Sequence, residues 1–173
     1  AKVVVSNDAP GGNVTGTSDL APIAEQIDLL MQLYPNAKVI GTVYSSSEIN
    51  SETQIKAMKE YAESKGLTVR AATVSTVNDI PQAAQSLVGD VDVFYEPTDN
   101  VISSSIPTLV SVTDAAGKAV ICPEPYMVTG GCLATYGIDY YKLGVQTGNM
   151  AADIFEGKKP ATMPIETAHD LTV

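Results

Sequence analysis

The stretch AKVIGTVYSSSEINSETQIKAMKEYAESKG (residues 37–66) sets the pattern of the chain. A short, β-branched apolar run, AKVIGTVY, reads as a strand apolar on both faces. It stops at a cluster of hydroxyls, a carboxylate and an amide. A charged amphipathic helix then begins at Ser51 and ends at Gly66, a residue suited to the turn after a helix. The same strand-then-helix alternation repeats along the chain. LTVRAATVS, VDVFYEP, KAVICPEP and CLATYGID read as further strands, and NDIPQAAQSLVGD as a helix with Pro81 near its start. NVISSSIPTLVSVTDAAG reads as helical, with Pro107 delaying or kinking it, because a proline ring clashes with the preceding turn. Before the first strand, LAPIAEQIDLLMQLYP places Ile23, Ile27, Leu30 and Tyr34 at helical spacing, with Ser18 and Asp19 as cap candidates. After the last, YYKLGVQTGNMAADIFEGKKP is a long closing helix, and a final DLTV reads as a stub of strand.

Strands alternating with helices imply right-handed crossovers and a parallel sheet covered on both faces. The expected fold class is α/β, a flavodoxin-like doubly wound parallel sheet. In the strand order 2-1-3-4-5 the first and third strands meet at the switch point, and ligands bind beyond the carboxyl ends of strands there. That order sets residues 45–51 beside residues 96–100.

Composition narrows the function. A chain of 173 residues, 45% hydrophobic, is long enough for one ordinary domain. Acidic residues outnumber basic ones 20 to 10, for a formal charge of -10. No basic stripe is present to neutralise phosphates, so nucleic acid is not an expected partner. Cys122 and Cys132 sit in apolar stretches and read as small buried hydrophobes rather than a disulfide framework. No apolar run reaches the roughly 20 residues of a membrane-spanning helix. The opening AKVVVSNDAPGG has neither an initiator Met nor a basic leader, which reads as a processed or excised piece.

Catalytic constellations are weak. The one histidine, His169, lies in the tail, far in sequence from any strand end. No His, Cys or acid cluster has metal-ligand spacing, and PGGNVTG is neither a phosphate-binding loop nor a dinucleotide fingerprint. No enzyme activity, cofactor or metal is expected. The strand ends carry small polar groups instead. Ser46, Ser47, Asn50 and Ser51 offer donors at a helix N-terminus, where free N–H groups favour an anion. Asp99 and Glu124 could hold an ammonium. Any one of these serines reads equally as a helix cap; the collection reads as a binding site.

PGGNVTGTSDL, VYSSSEINSETQ, PTDN and LATYGIDYYKLGVQTGNMAADIFEGKKPATMPIE together resemble the solute-binding proteins of ABC transporters. The similarity is to the type I periplasmic-binding-protein branch that includes binders of tryptophan and other aromatic amino acids. The resemblance implies one lobe of a two-lobed fold, with the first lobe absent from this sequence. Residues 1–19 would be a hinge remnant, 20–139 the carboxyl-terminal ligand-binding lobe, and 140–173 a helix and tail crossing to and from the other lobe. It implies an extracytoplasmic protein, periplasmic or lipoprotein-anchored, that binds an amino acid-like ligand and presents it to a permease. By position, Ser46, Ser47, Asn50 and Ser51 would hold a carboxylate, with Thr98, Asp99 and Asn100 on the neighbouring wall. Glu124 and Tyr126 would meet an ammonium or ring. Tyr136 and Asp139 would lie at one hinge, and Thr17 and Ser18 at another; packing is the alternative for Tyr136, Tyr140 and Tyr141. The closing helix would expose Leu143, Val145, Met150, Ile154 and Phe155, and so pack on its own sheet or pair two copies through residues 140–157. The competing expectations are a ligand-sensing domain of a transcription regulator and a free-standing flavodoxin-like domain.

Overall fold

The computed structural model describes residues 3–169 and 171–173. Ala1 and Lys2 of the opening segment and Asp170 of DLTV lie outside the described residues. The elements run β1 (Thr17–Ser18), α1 (Ile23–Leu33), β2 (Val39–Ser45), α2 (Ile49–Ser64), β3 (Thr68–Val74), α3 (Ile80–Leu87) and β4 (Val93–Tyr95). They continue through α4 (Asn100–Ser103), α5 (Ile106–Ala115), β5 (Val120–Cys122), α6 (Pro125–Thr129), β6 (Ala134–Thr135) and β7 (Gly137–Ile138). The last are α7 (Tyr140–Phe155), β8 (Glu166–Thr167) and β9 (Leu171–Thr172). The chain divides into two compact units, Ala1–Leu20 with Ile138–Leu171, and Ala21–Gly137 with Thr172–Val173.

The larger unit holds a five-stranded parallel sheet in the order β3-β2-β4-β5-β6. Counted from β2, this is the expected 2-1-3-4-5. Side chains alternate across it as the strand period requires. Ile40, Val93, Tyr95 and Ile121 pack with Ile27, Leu30, Ile55 and Met58 of α1 and α2. Val43, Phe94, Val120 and Cys122 pack on the other face with Ile80, Leu87, Leu109 and Met127. Both faces are therefore apolar and covered, which is why the strands carry runs rather than alternation. Both cysteines are buried free thiols, as their apolar settings imply. At Gly41 a methyl group would stand 3.0 Å from the Phe94 ring, so this position in β2 is small because the neighbouring strand's side chain fills it.

Several local expectations change. Helix α2 begins at Ile49 from Glu48, not at Ser51. Ile49 is 80% exposed and adds nothing to the amphipathic pattern, so the first turn was invisible to it. Helix α1 starts from Pro22 without a side-chain cap. Ser18 lies in β1, and its hydroxyl accepts the Leu20 N–H instead. Pro107 breaks its segment into α4 and α5 and sits in the first turn of the second, where its missing N–H is least costly.

In the smaller unit β1 pairs with β8 in parallel. Here the five residues expected to form one apolar stripe on α7 do not do so. Leu143 and Met150 are buried, whereas Val145 is half exposed and Phe155 is 91% exposed. The helical period brings residues 143, 150 and 154 to one side and carries 145 and 155 away from it.

One polar chain crosses the larger unit's core. The Tyr95 hydroxyl donates to Gln26 Oε1 at 2.6 Å, and Gln26 Nε2 donates to the Tyr136 carbonyl at 2.8 Å. Tyr95 and Gln26 are fully buried. Tyr95→Phe strips the amide oxygen of its donor, and the expected loss of stability in urea denaturation is about 1–3 kcal/mol.

Candidate ligand-binding site

The carboxyl edge of β2 and β4 is the switch point of the sheet, and its construction is unusual. β2 and β4 share only two register pairs, Ile40↔Val93 and Gly41↔Phe94. β4 then ends at Tyr95, and Glu96-Pro97 turns the chain away. The N–H groups of β2 beyond the last pair would be orphaned in the interior, which is costly. Carboxylates take them. Glu96 accepts the Val43 N–H at 3.2 Å on both oxygens, and Asp99 accepts the Ser45 N–H at 2.7 Å. At the opposite end Asp92 accepts the Lys38 and Val39 N–H groups at 2.7 and 2.9 Å. These N–H groups hold the Asp92 carboxyl below its ordinary range. Burial pushes the Glu96 carboxyl well above its ordinary range; the Val43 N–H opposes that, and Asp99 and Cys122 add to it.

The loop after β4 is fastened to α2 by amides. The Gln54 side chain donates to the Thr98 carbonyl and accepts the Thr98 N–H, each at 3.1 Å. Asn50 Nδ2 donates to the same carbonyl at 3.1 Å. Glu48 accepts both the backbone N–H and the amide of Asn100, at 3.2 and 2.9 Å, and the amide of Asn50 at 3.3 Å. Partial burial raises the Glu48 carboxyl, but these N–H groups together outweigh it and leave it below its ordinary range. Asp99 completes the turn by accepting the Ile102 N–H at 3.0 Å as the N-cap of α4.

The structure thus brings Ser46, Ser47, Asn50, Thr98 and Asn100 to one edge of the sheet, and it separates them by role. Ser46, Ser47, Asn50 and Asn100 are exposed. Ser47 exchanges a 2.9 Å hydroxyl contact with Ser45, and α2 has no side-chain cap on its first N–H groups. Ser51 is fully buried, with no partner for its hydroxyl among the described residues. Asp99 is 1% exposed and both its oxygens are occupied by backbone N–H groups. These two face inward, because their backbone positions belong to the first turn of α2 and to the cap of α4. After β5, Glu124 is half-buried at the N-cap of α6, and the half-exposed Tyr126 donates its hydroxyl to the Ser103 carbonyl. Tyr136 is half-buried, and its carbonyl is held by Gln26.

The remaining candidates lie in the smaller unit. The Thr17 hydroxyl meets that of Thr147 at 2.6 Å, and Ser18 is in the β1–β8 ladder. Asp139 caps α7 by accepting the Tyr141 and Lys142 N–H groups at 3.0 and 3.1 Å. A cleft of about 480 Å³ runs between α7 and the segment around β8. In it Gln146 donates to Glu166 at 2.7 Å and to the Thr167 carbonyl at 3.0 Å.

Sequence reasoning passed over Glu48, Gln54, Glu96 and Gln26, which do the fastening. An acid directly after VFY, at the end of a strand with no polar position, was the available signal for Glu96.

The free polar groups of the sheet edge therefore gather at the switch point, where open parallel sheets place their ligands. The chain belongs to the ABC transporter substrate binding protein family, whose model matches residues 1–173. It is 40% identical to a tyrosine-binding protein of Clostridioides difficile over 173 residues, covering 100% of this chain and 50% of that one. A structure of an ABC domain in complex with L-Trp from Streptococcus pneumoniae superposes with a TM-score of 0.89 at 41% identity, over 98% of this chain and 59% of that one. The ligand-free, open structure of a substrate binding protein with adhesive properties from Clostridium difficile gives 0.80 at 40% identity, over 98% and 58%. The chain spans about half the length of the curated relatives it matches.

Gln54→Ala frees the Thr98 N–H and leaves the Thr98 carbonyl to Asn50 alone. The expected outcome is a loss of about 1–3 kcal/mol in denaturation, with faster amide exchange at Thr98 than at Val93.

Proposed function

We propose that this chain supplies one wall of a ligand clamp in the solute-binding component of an ABC importer, working outside the cytoplasm. The ligand class is an amino acid, and an aromatic one fits best. The observation that carries the reading is the similarity of the whole of this chain to half of a tyrosine-binding protein. The edge chemistry agrees with it. Ser46, Ser47 and the uncapped first turn of α2 offer hydroxyl and N–H donors suited to a carboxylate. Tyr126 and Glu124 stand after β5, with a ring and an acid for the rest of the ligand.

On this reading residues 1–19 and 140–173 are the segments that join the lobe to a second one. The ligand bridges the two lobes and shifts the balance from open to closed, and a permease recognises the closed form. Binding, not turnover, is the activity, so no catalytic group is called for. Attachment to the membrane as a lipoprotein belongs to the same reading.

One wall gives only part of the contact surface an amino acid needs. Calorimetric titration of L-tyrosine or L-tryptophan into the 173-residue chain is expected to show no tight binding; micromolar affinity would overturn the shared-clamp reading. In a chain that carries both lobes, replacing Ser46 and Ser47 by Ala is expected to weaken binding about tenfold or more. Each hydrogen bond to a charged group is worth roughly 1.5–3 kcal/mol, and 1.4 kcal/mol is tenfold. Both serines are exposed, so thermal stability should hardly change.

A second copy covering Tyr141, Val145 and Phe155 is the expected dimer through residues 140–157. Sedimentation velocity reading a monomer at micromolar concentration eliminates it.

A further inference from the structure

We infer that Glu96 is a pH-sensitive clasp: it fixes the gap between β2 and β4, and so positions the edge that carries Ser46 and Ser47, an inference that rests on reading that edge as the ligand wall. The geometry puts it there. Glu96 is 0% exposed, and its own N–H is tied to the Ile121 carbonyl of β5 at 3.0 Å. Its side chain therefore reaches from the β4–β5 side of the sheet back to β2, where both oxygens sit 3.2 Å from the Val43 nitrogen. It occupies the place of the missing β4 residue in the ladder.

Among the described residues, that single N–H is the group that favours a negative charge there. The titratable groups that face it are Asp99 on the following loop, Cys122 at the end of β5, Cys132 before β6, and Tyr95 beside it in β4. All are acids, and among the described residues no ion pair reaches Glu96. An unpaired carboxylate in such a place is expensive, so the neutral acid is the form that fits. Burial raises the carboxyl well above the ordinary 4.5. A folded value above the unfolded one means that the native state holds the proton more tightly. Its contribution to stability is then complete below the unfolded value and is lost as pH rises toward the folded one. Deprotonation leaves a buried charge beside the Asp99 carboxyl, and opening the β2–β4 edge to water relieves it.

The test uses the ligand-free chain, so its outcome does not depend on whether the edge binds an amino acid. Urea denaturation of the wild type and of Glu96→Gln is measured from pH 5 to pH 9. Gln copies the shape and neutrality of the protonated acid, and its amide oxygen can still accept the Val43 N–H. The wild-type folding constant is expected to fall at least tenfold more than that of Glu96→Gln across the range, since a carboxyl that binds its proton tenfold more tightly in the folded state changes that constant by a factor of about ten. Protection of the Val43 amide should fall with pH in the wild type and not in the variant. Identical pH slopes overturn the proposal. Should Glu96→Gln fail to fold, carboxyl-carbon NMR of the wild type decides: a Glu96 resonance titrating near 4.5 overturns the clasp, and one titrating well above it supports the clasp.

Discussion

The larger unit depends on how β2 is satisfied after β4 leaves it. Two register pairs join these central strands, and beyond them the peptide groups of β2 face the interior. A strand in that position needs acceptors, because a buried, unpaired N–H forfeits a hydrogen bond that water would have made. Acids at positions 96 and 99 supply them, each fixed on the segment just after β4. The consequence is a sheet that can end β4 early. The early end leaves the Val43 and Ser45 N–H groups with acceptors all the same.

This explains why the polar residues at the site fall into two groups. Asp99, Glu48, Gln54 and the amide of Asn50 are engaged with backbone or with one another. They set the position of the loop at residues 97–100 against the first turns of α2. Ser46, Ser47 and the free N–H groups of α2 stand outside that network, at its exposed margin. A wall held from behind loses little freedom when a ligand arrives, and preorganisation of that kind is how a modest number of contacts yields affinity. It also suits a clamp that closes as rigid bodies, since the wall need not refold around its ligand.

The division was half legible in the sequence. Runs such as VIGTVY and VFY are apolar at every position, which reveals strands covered on both faces, and their alternation with helices implies the sheet order. The polar cluster after β2 and the PTDN loop were visible as strand-end chemistry. Which of those side chains would turn inward was not. Glu96 meets Val43 across 53 positions, and Gln54 meets Thr98 across 44. Such pairings follow from strand register and helix phase, and residue type alone does not reveal them. A serine at the start of α2 has the same identity whether it faces solvent, like Ser47, or the core, like Ser51. The two-residue error at the start of α2 has the same origin: an exposed apolar residue such as Ile49 carries no periodic signal.

The acidity of the chain bears on what such an edge can accept. With a formal charge of -10, the protein repels anions at long range, though salt limits that field to about 10 Å. A carboxylate held at Ser46 and Ser47 would be met by neutral donors and the positive end of a long helix, a short-range attraction. A zwitterionic amino acid satisfies both conditions. It carries no net charge to be turned away on approach, and its carboxylate finds the N–H groups on contact. Its ammonium, moreover, is welcome in an acidic setting, with Glu124 on the far side of the same edge after β5. On the proposed reading, the edge suits an amino acid with no net charge.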